Sequence, residues 1–117
     1  MERLKNPRDF SLVYSQGRPR FGKYVVVSSL PTDLEVSRVG FAVSKKVGNA
    51  VTRNRIKRRL RAIIQEVAPN VEPGFDLVIG AKRSCVEVDF AQLRADLFRV
   101  LQGSNLLTRT NEGEEHA

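Results

Sequence analysis

Hydrophobic residues along this chain change period several times, and each change marks an element. After Asn6-Pro7-Arg8-Asp9, the apolar residues Phe10, Val13 and Tyr14 fall on one helical face. Asn6 suits an N-cap, Pro7 the first helical position, and Asp9 a reciprocal side-chain bond, with Gly17 as the stop. A short helix is predicted at 7–16. Arg18-Pro19-Arg20 reads as a basic turn into a strand from Phe21 to Ser29, where Tyr24, Val26 and Ser28 alternate with Lys23, Val25 and Val27. A Pro31-Thr32-Asp33 loop leads to a second predicted strand, Glu35 to Lys45. One of its faces carries Val39, Phe41 and Val43. The other carries only Gly40, Ala42 and Ser44, small enough for another backbone or a ligand to come close.

From residue 50 the period becomes 3.6. Ile56, Leu60, Ile63, Ile64 and Val67 form one apolar stripe of a helix over 50–67, ended by the segment Pro69 to Gly74. Phe75 to Lys82 is a nearly continuous apolar run, the pattern of a central strand covered on both sides. Asp89 can cap a last helix that buries Phe90, Leu93, Leu97, Val100 and Leu101 and stops at Gly103. The pattern predicts a single α+β domain over residues 1–106, ordered α-β-β-β-α-β-α as a sandwich around a central sheet. Residues 107–117 read as a disordered polar tail.

Charge changes this picture at one place. The chain of 117 residues is 41% hydrophobic and carries a net charge of +7. The stretch KKVGNAVTRNRIKRRLRAII, residues 45–64, holds eight of its twenty Lys and Arg residues, and no carboxylate occurs between Val36 and Gln65. Solvated helix faces mix signs, because like charges one turn apart repel. A run of one sign calls for a polyanion. Gly48-Asn49 turns the chain into the helix with Asn49 as N-cap, so free N–H groups and the helix dipole meet Lys45 and Lys46. Asn54, Lys57, Arg58 and Arg61 occupy one flank of the helix, and Arg55 and Arg59 the other. The guanidinium groups of Arg53 and Arg55 can fork onto successive phosphates. Neutralising six phosphates would give a log–log salt slope of about −4 to −5. Such a rail reads backbone and shape rather than base edges.

A second surface is suggested by Phe10, Tyr14 and Tyr24, on which unpaired bases can stack if these rings line a groove between the first helix and the small-residue face of the sheet. Phe10 fits equally well as part of the helix's core face. A self-contained active site is not found. His116 is alone in the tail, and the single cysteine, Cys85, has no CxxC companion and cannot form an internal disulfide. Neither a signal peptide nor a membrane span is read in the sequence, so a soluble protein of the cytoplasm is expected.

The segment RVGFAVSKKVGNAVTRNRIKRRLR, residues 38–61, with its core Arg53-Asn54-Arg55, resembles the signature of the bacterial ribonuclease P protein component. LKNPRDFSLVYSQG and FDLVIGAK resemble that family's first helix and later strand. The resemblance implies a subunit that binds a catalytic RNA and the 5′ leader of precursor tRNA, and assists endonucleolytic removal of the leader. It places the chemistry in the RNA and Mg²⁺ mainly on the RNA and substrate, with one protein per RNA. It assigns Lys45, Lys46, Asn49, Arg53, Asn54, Arg55, Lys57, Arg58 and Arg61 to the RNA-facing region and Phe10, Tyr14 and Tyr24 to a leader cleft, Tyr14 standing where the family has Phe. It also implies a left-handed crossover through strand, helix 50–67 and strand, against the general preference for right-handed ones. A ribosomal scaffold protein using the same helix on rRNA is the competing reading. A peripheral membrane protein would need apolar residues beside the basic face that the core requires here.

Overall fold

The apolar run Phe75–Ala81 becomes the middle of a five-stranded sheet. The computed structural model of the chain describes residues 1–108. In order, the elements are β1 (Glu2–Arg3), α1 (Pro7–Gln16), β2 (Arg18–Phe21), β3 (Val25–Pro31), β4 (Arg38–Ala42), α2 (Ala50–Val67), β5 (Phe75–Ala81) and α3 (Phe90–Gly103). Short 3-10 turns occupy Ala68–Asn70 and Arg83–Glu87. The sheet runs β1-β4-β5-β3-β2, with β1, β4 and β5 mutually parallel and β3 antiparallel to both β5 and β2. The expected α-β-β-β-α-β-α order is present from α1 onward, with β1 added in front.

All three helices start where a side-chain oxygen can take an orphan N–H. Asn6 accepts from Arg8 N–H at 2.9 Å, Asn49 from Thr52 N–H at 2.9 Å and Asp89 from Gln92 N–H at 2.8 Å. Gln92 returns a bond to the backbone N–H of Asp89, closing a capping box. Asp9 makes no such return bond; it pairs with Arg38 at 3.5 Å instead.

The helices lie on opposite faces of the sheet. α2 and α3 cover the larger core, where Ile56, Leu60, Ile63, Ile64 and Val67 meet Leu93, Leu97, Val100 and Leu101 over Val25, Val27, Val39, Leu77 and Ile79. The predicted stripe of α2 is the buried one. Phe90 departs from expectation: as the first residue after the Asp89 cap it stays 39% exposed. α1 closes a smaller core of Leu4, Val13 and Val78 with Phe10, Leu30 and Ala42.

Three local expectations are corrected, and one strand is added. Arg18-Pro19-Arg20 is not a turn but belongs with Phe21 to β2, and the strand expected from Phe21 to Ser29 is broken between β2 and β3; β2 is an edge strand, where Pro19 leaves no ladder bond unmade. β4 is shorter than the predicted 35–45 and gives way to a turn after Ala42. β1, two residues long, carries no period at all. It is fixed by its neighbours, with Glu2 N–H donating to Ser37 O at 3.1 Å and Leu4 N–H to Val39 O at 2.8 Å. Gly17 has an extended backbone, so its role is not a left-handed stop; a Cβ there would lie 2.5 Å from Val13 O and 2.6 Å from Ser29 O, where α1 runs over β3.

Leu107 and Thr108, assigned to the tail, are tied back: Leu107 bridges to Val71 and Thr108 N–H donates to Asn70 O at 2.6 Å. The rest of the expected tail, with His116, lies outside the described residues.

Candidate nucleic-acid interface

Between β4 and α2 the chain makes a tight turn, with Val47 N–H donating to Ser44 O at 3.0 Å and Val47 buried. Lys45 and Lys46 therefore project from a turn, not from the strand as expected, and both are exposed. Two arginines brace that turn. Arg53 Nη1 donates to Gly48 O at 3.0 Å, and Arg83 Nε to Lys46 O at 3.2 Å. Ser44, Lys46, Val47, Ala81 and Arg83 line a depression of about 520 Å³ beside it. A pre-shaped, cationic turn running into a helix N-terminus is a seat for anionic oxygens.

Along α2, Asn54, Arg58 and Arg61 are exposed and Lys57 half-buried on the same flank. Arg3 adds to this flank from β1: its guanidinium lies 5.4 Å from the Phe41 ring centroid, and both residues border the depression that also holds Arg61. Arg3 escaped sequence reasoning because β1 has no pattern to reveal it. Among the described residues, the ion pairs are Arg38 with Asp9 and Asp76, Arg94 with Glu66 and Arg99 with Asp96. None involves a Lys or Arg between residues 45 and 61. The rail is left without internal counter-charge.

Arg55 belongs elsewhere. Its Nη2 points to Val86 O at 3.5 Å, and Arg59 Nη1 donates to Val88 O at 3.2 Å, so this pair grips the turn after β5. Arg55 Nε is buried and finds no partner. Both charges also lie near Cys85, which is 1% exposed; burial pushes its thiol up, against the opposing pull of Arg55 and Arg59. Of the nine residues assigned to the rail, Asn49, Arg53 and Arg55 thus make bonds within the fold, and the remaining six are available. Among the described residues, no group of three or more His, Cys, Asp or Glu side chains is placed to hold a metal ion.

On the other face of the sheet, the Phe10 ring fills the space over Gly40, so Phe10 does serve the core. Tyr14, one turn further along α1, is 58% exposed. Tyr24 is not brought to them. It packs against the larger core under α2 and α3, and its backbone N–H is held by Asp96 of α3. Beside α1 an open row crosses the sheet: Phe21 pairs with Val26, Val26 with Gly80, and Gly80 with Ala42. Cross-strand partners share a face. A Cβ on Gly80 would find nothing nearer than 3.7 Å. The small-residue face predicted from the sequence is therefore half roofed by α1 and half open.

A one-sided basic helix on an α+β domain, with an open sheet surface on the reverse, is the architecture of an RNA-binding protein. The comparisons with known proteins agree. The family model for ribonuclease P matches residues 1–104. A ribonuclease P protein component from Natranaerobius thermophilus is 39% identical over 106 residues, covering 91% of this chain and 92% of that protein. One from Bacillus cereus is 36% identical over 105 residues, covering 89% and 91%. Among solved structures, the Staphylococcus aureus RNase P protein superposes with a TM-score of 0.85 at 28% identity, covering 92% of this chain and 99% of that one. The Thermotoga maritima RNase P protein gives 0.80 at 32%, covering 87% and 96%. The chain belongs to the ribonuclease P protein family. It is a protein subunit of this tRNA-processing endoribonuclease, and the ribonuclease P RNA is its partner. The ribosomal reading is set aside by these matches. Among the described residues, no helix is long and apolar enough to cross a membrane.

Proposed function

We propose that the α2 flank and the turn before it seat the catalytic RNA, while the open side of the sheet next to Phe10 and Tyr14 receives the 5′ leader of precursor tRNA. The observation that carries the reading is the unneutralised rail of Lys45, Lys46, Asn54, Lys57, Arg58 and Arg61. Enzyme and substrate are both polyanions, and their phosphates repel where they meet. A rail of fixed cations between them lowers that repulsion, strengthens substrate binding, and deepens the wells for Mg²⁺ held mainly by the RNA and the substrate. The protein moves no proton and forms no bond to the scissile phosphate. One protein serves one RNA, in the cytoplasm.

Sheet and rail act on different parts of the problem. The rail supplies affinity without sequence preference, and the sheet distinguishes precursor from mature tRNA because only the precursor has a strand to lay across it. The test is reconstitution with a bacterial ribonuclease P RNA at low-millimolar Mg²⁺, with long and truncated leaders. Restored cleavage with preference for the long leader supports both surfaces. Cleavage that the protein neither accelerates nor biases by leader length rejects the proposal.

A further inference from the structure

Phe21 has no structural reason to be where it is. It is 68% exposed on the edge strand, next to the exposed Arg20 and Lys23. A large ring left in water gains little for the fold. Yet the ring is attended: Lys82 Nζ lies 5.7 Å from its centroid and donates to Gly22 O, which anchors the ammonium at the turn directly after the ring.

Its position in the sheet gives this arrangement a direction. Phe21, Val26, Gly80 and Ala42 form one row across four strands, on the face that α1 leaves open. Three strand spacings make that row about 14 Å long. Gly80 and Ala42 raise almost nothing above the floor, and Phe21 closes it at the β2 edge with the Lys82 ammonium over its ring and the exposed Lys23 two residues on. A flat floor ending in an exposed ring beside a cation is the arrangement that stacks a base and holds its phosphate.

We propose that Phe21, with Lys82 beside it, is a base-stacking platform that takes an unpaired nucleotide of the leader as it leaves the sheet over β2. It extends the leader path beyond the α1 side by one stacked base and gives this chain a specificity element on its own edge strand. The occupant is single-stranded RNA, not an acidic peptide added to the edge: Pro19 removes a donor that a paired peptide strand would need, and a peptide lying along β2 would leave the ring unused. The inference rests on the leader lying across the sheet, as proposed above.

The experiment reads affinity of the reconstituted ribonuclease P for precursor tRNAs whose leader grows one nucleotide at a time, using the natural chain, Phe21→Ala and Phe21→Trp. With the natural chain, affinity climbs stepwise to a plateau. Phe21→Ala is expected to lose the last step, weakening binding of the longest leaders about five- to tenfold, and Phe21→Trp to keep it. The difference should open only once the leader is long enough to reach β2. Coincident curves for Phe21→Ala and the natural chain, or equal weakening at every length, overturn the platform while leaving the leader reading intact. Affinity independent of leader length in all three overturns both. Because the ring is exposed, Phe21→Ala should melt within a few degrees of the natural chain, which a thermal scan establishes beforehand.

Discussion

The Asp96 carboxylate, buried in the middle of α3, accepts the backbone N–H of Tyr24 at 2.8 Å across 72 positions of chain. The same carboxylate takes Lys23 N–H at 3.0 Å and Val25 N–H at 3.2 Å, and Arg99 reaches it from the surface. One side chain thereby stands in for a ladder where the β2–β3 connection has none. Burial by itself would raise the Asp96 carboxyl; the N–H groups of Tyr24 and Lys23, the charge of Arg99 and the N–H of Val25 outweigh it and hold the pKa below its ordinary value of 3.8.

Asp96→Asn should therefore destabilise the domain by about 2–3 kcal/mol, since an amide turns a donor towards N–H groups that need an acceptor. Its melting temperature should fall by roughly 10 °C. The pH dependence has a definite sign. The carboxyl is more acidic in the folded state, so its contribution is whole above pH 3.8 and is lost as pH falls below that towards the lowered native value. Acid titration of melting temperature should be steeper in this range for the natural chain than for Asp96→Asn. Parallel curves would refute the assignment.

Replacing Lys57, Arg58 and Arg61 together by Gln removes three cations from the exposed flank of α2. The log–log salt slope of binding to ribonuclease P RNA should shrink in magnitude by about 2–3, and stability should hold or rise as self-repulsion falls. Filter binding over a salt series, with a parallel denaturant melt, measures both.

Arg55→Met should behave differently from Arg58→Met, although the two lie three residues apart. Arg55 grips the turn at residues 83–87, so its loss should speed backbone hydrogen exchange there and leave the salt slope nearly unchanged. Arg58 should do the reverse. If Arg55→Met reduces the slope as much as Arg58→Met, Arg55 leaves the turn to meet RNA.

Gly40→Ala should cost about 1–3 kcal/mol, because the added methyl meets the Phe10 ring and the Leu4 carbonyl. In Gly40→Ala combined with Phe10→Leu, part of that loss should be recovered. A double-mutant cycle in urea would expose the coupling, and strict additivity would show that the ring is free to move away.

What could be read from the sequence was whatever a single turn or a single period encodes. The five-residue stripe of α2 and the caps Asn6, Asn49 and Asp89 are local patterns, and they emerge as written. Asp96 was invisible in its role, since its partners sit 71 to 73 residues away. So was the fate of Arg55: charge and spacing put it in the basic segment, but only the turn at 83–87 decides where its guanidinium goes. Tyr24 is drawn away from Phe10 and Tyr14 for the same reason, its N–H held by Asp96 and its side chain packed against the larger core. Phe21 was read as the first residue of a long strand, because Pro19 made the basic segment before it look like a turn; only the pairing with Val26 puts its ring at the edge of the sheet.

The strand that every layer of this protein leans on is also the last strand to be synthesised. β3 and β4 are made well before β5, yet each pairs with it and not with the other. A ribosome that has released residue 70 has produced both strands and the whole of α2 without the sheet that joins them. The apolar stripe of α2 must wait in water beside its own unneutralised cations until β5 emerges, and the β2–β3 connection waits longer still, for Asp96. Folding is thus deferred almost to the end of translation, dominated by distant contacts, and slow for a chain of this size.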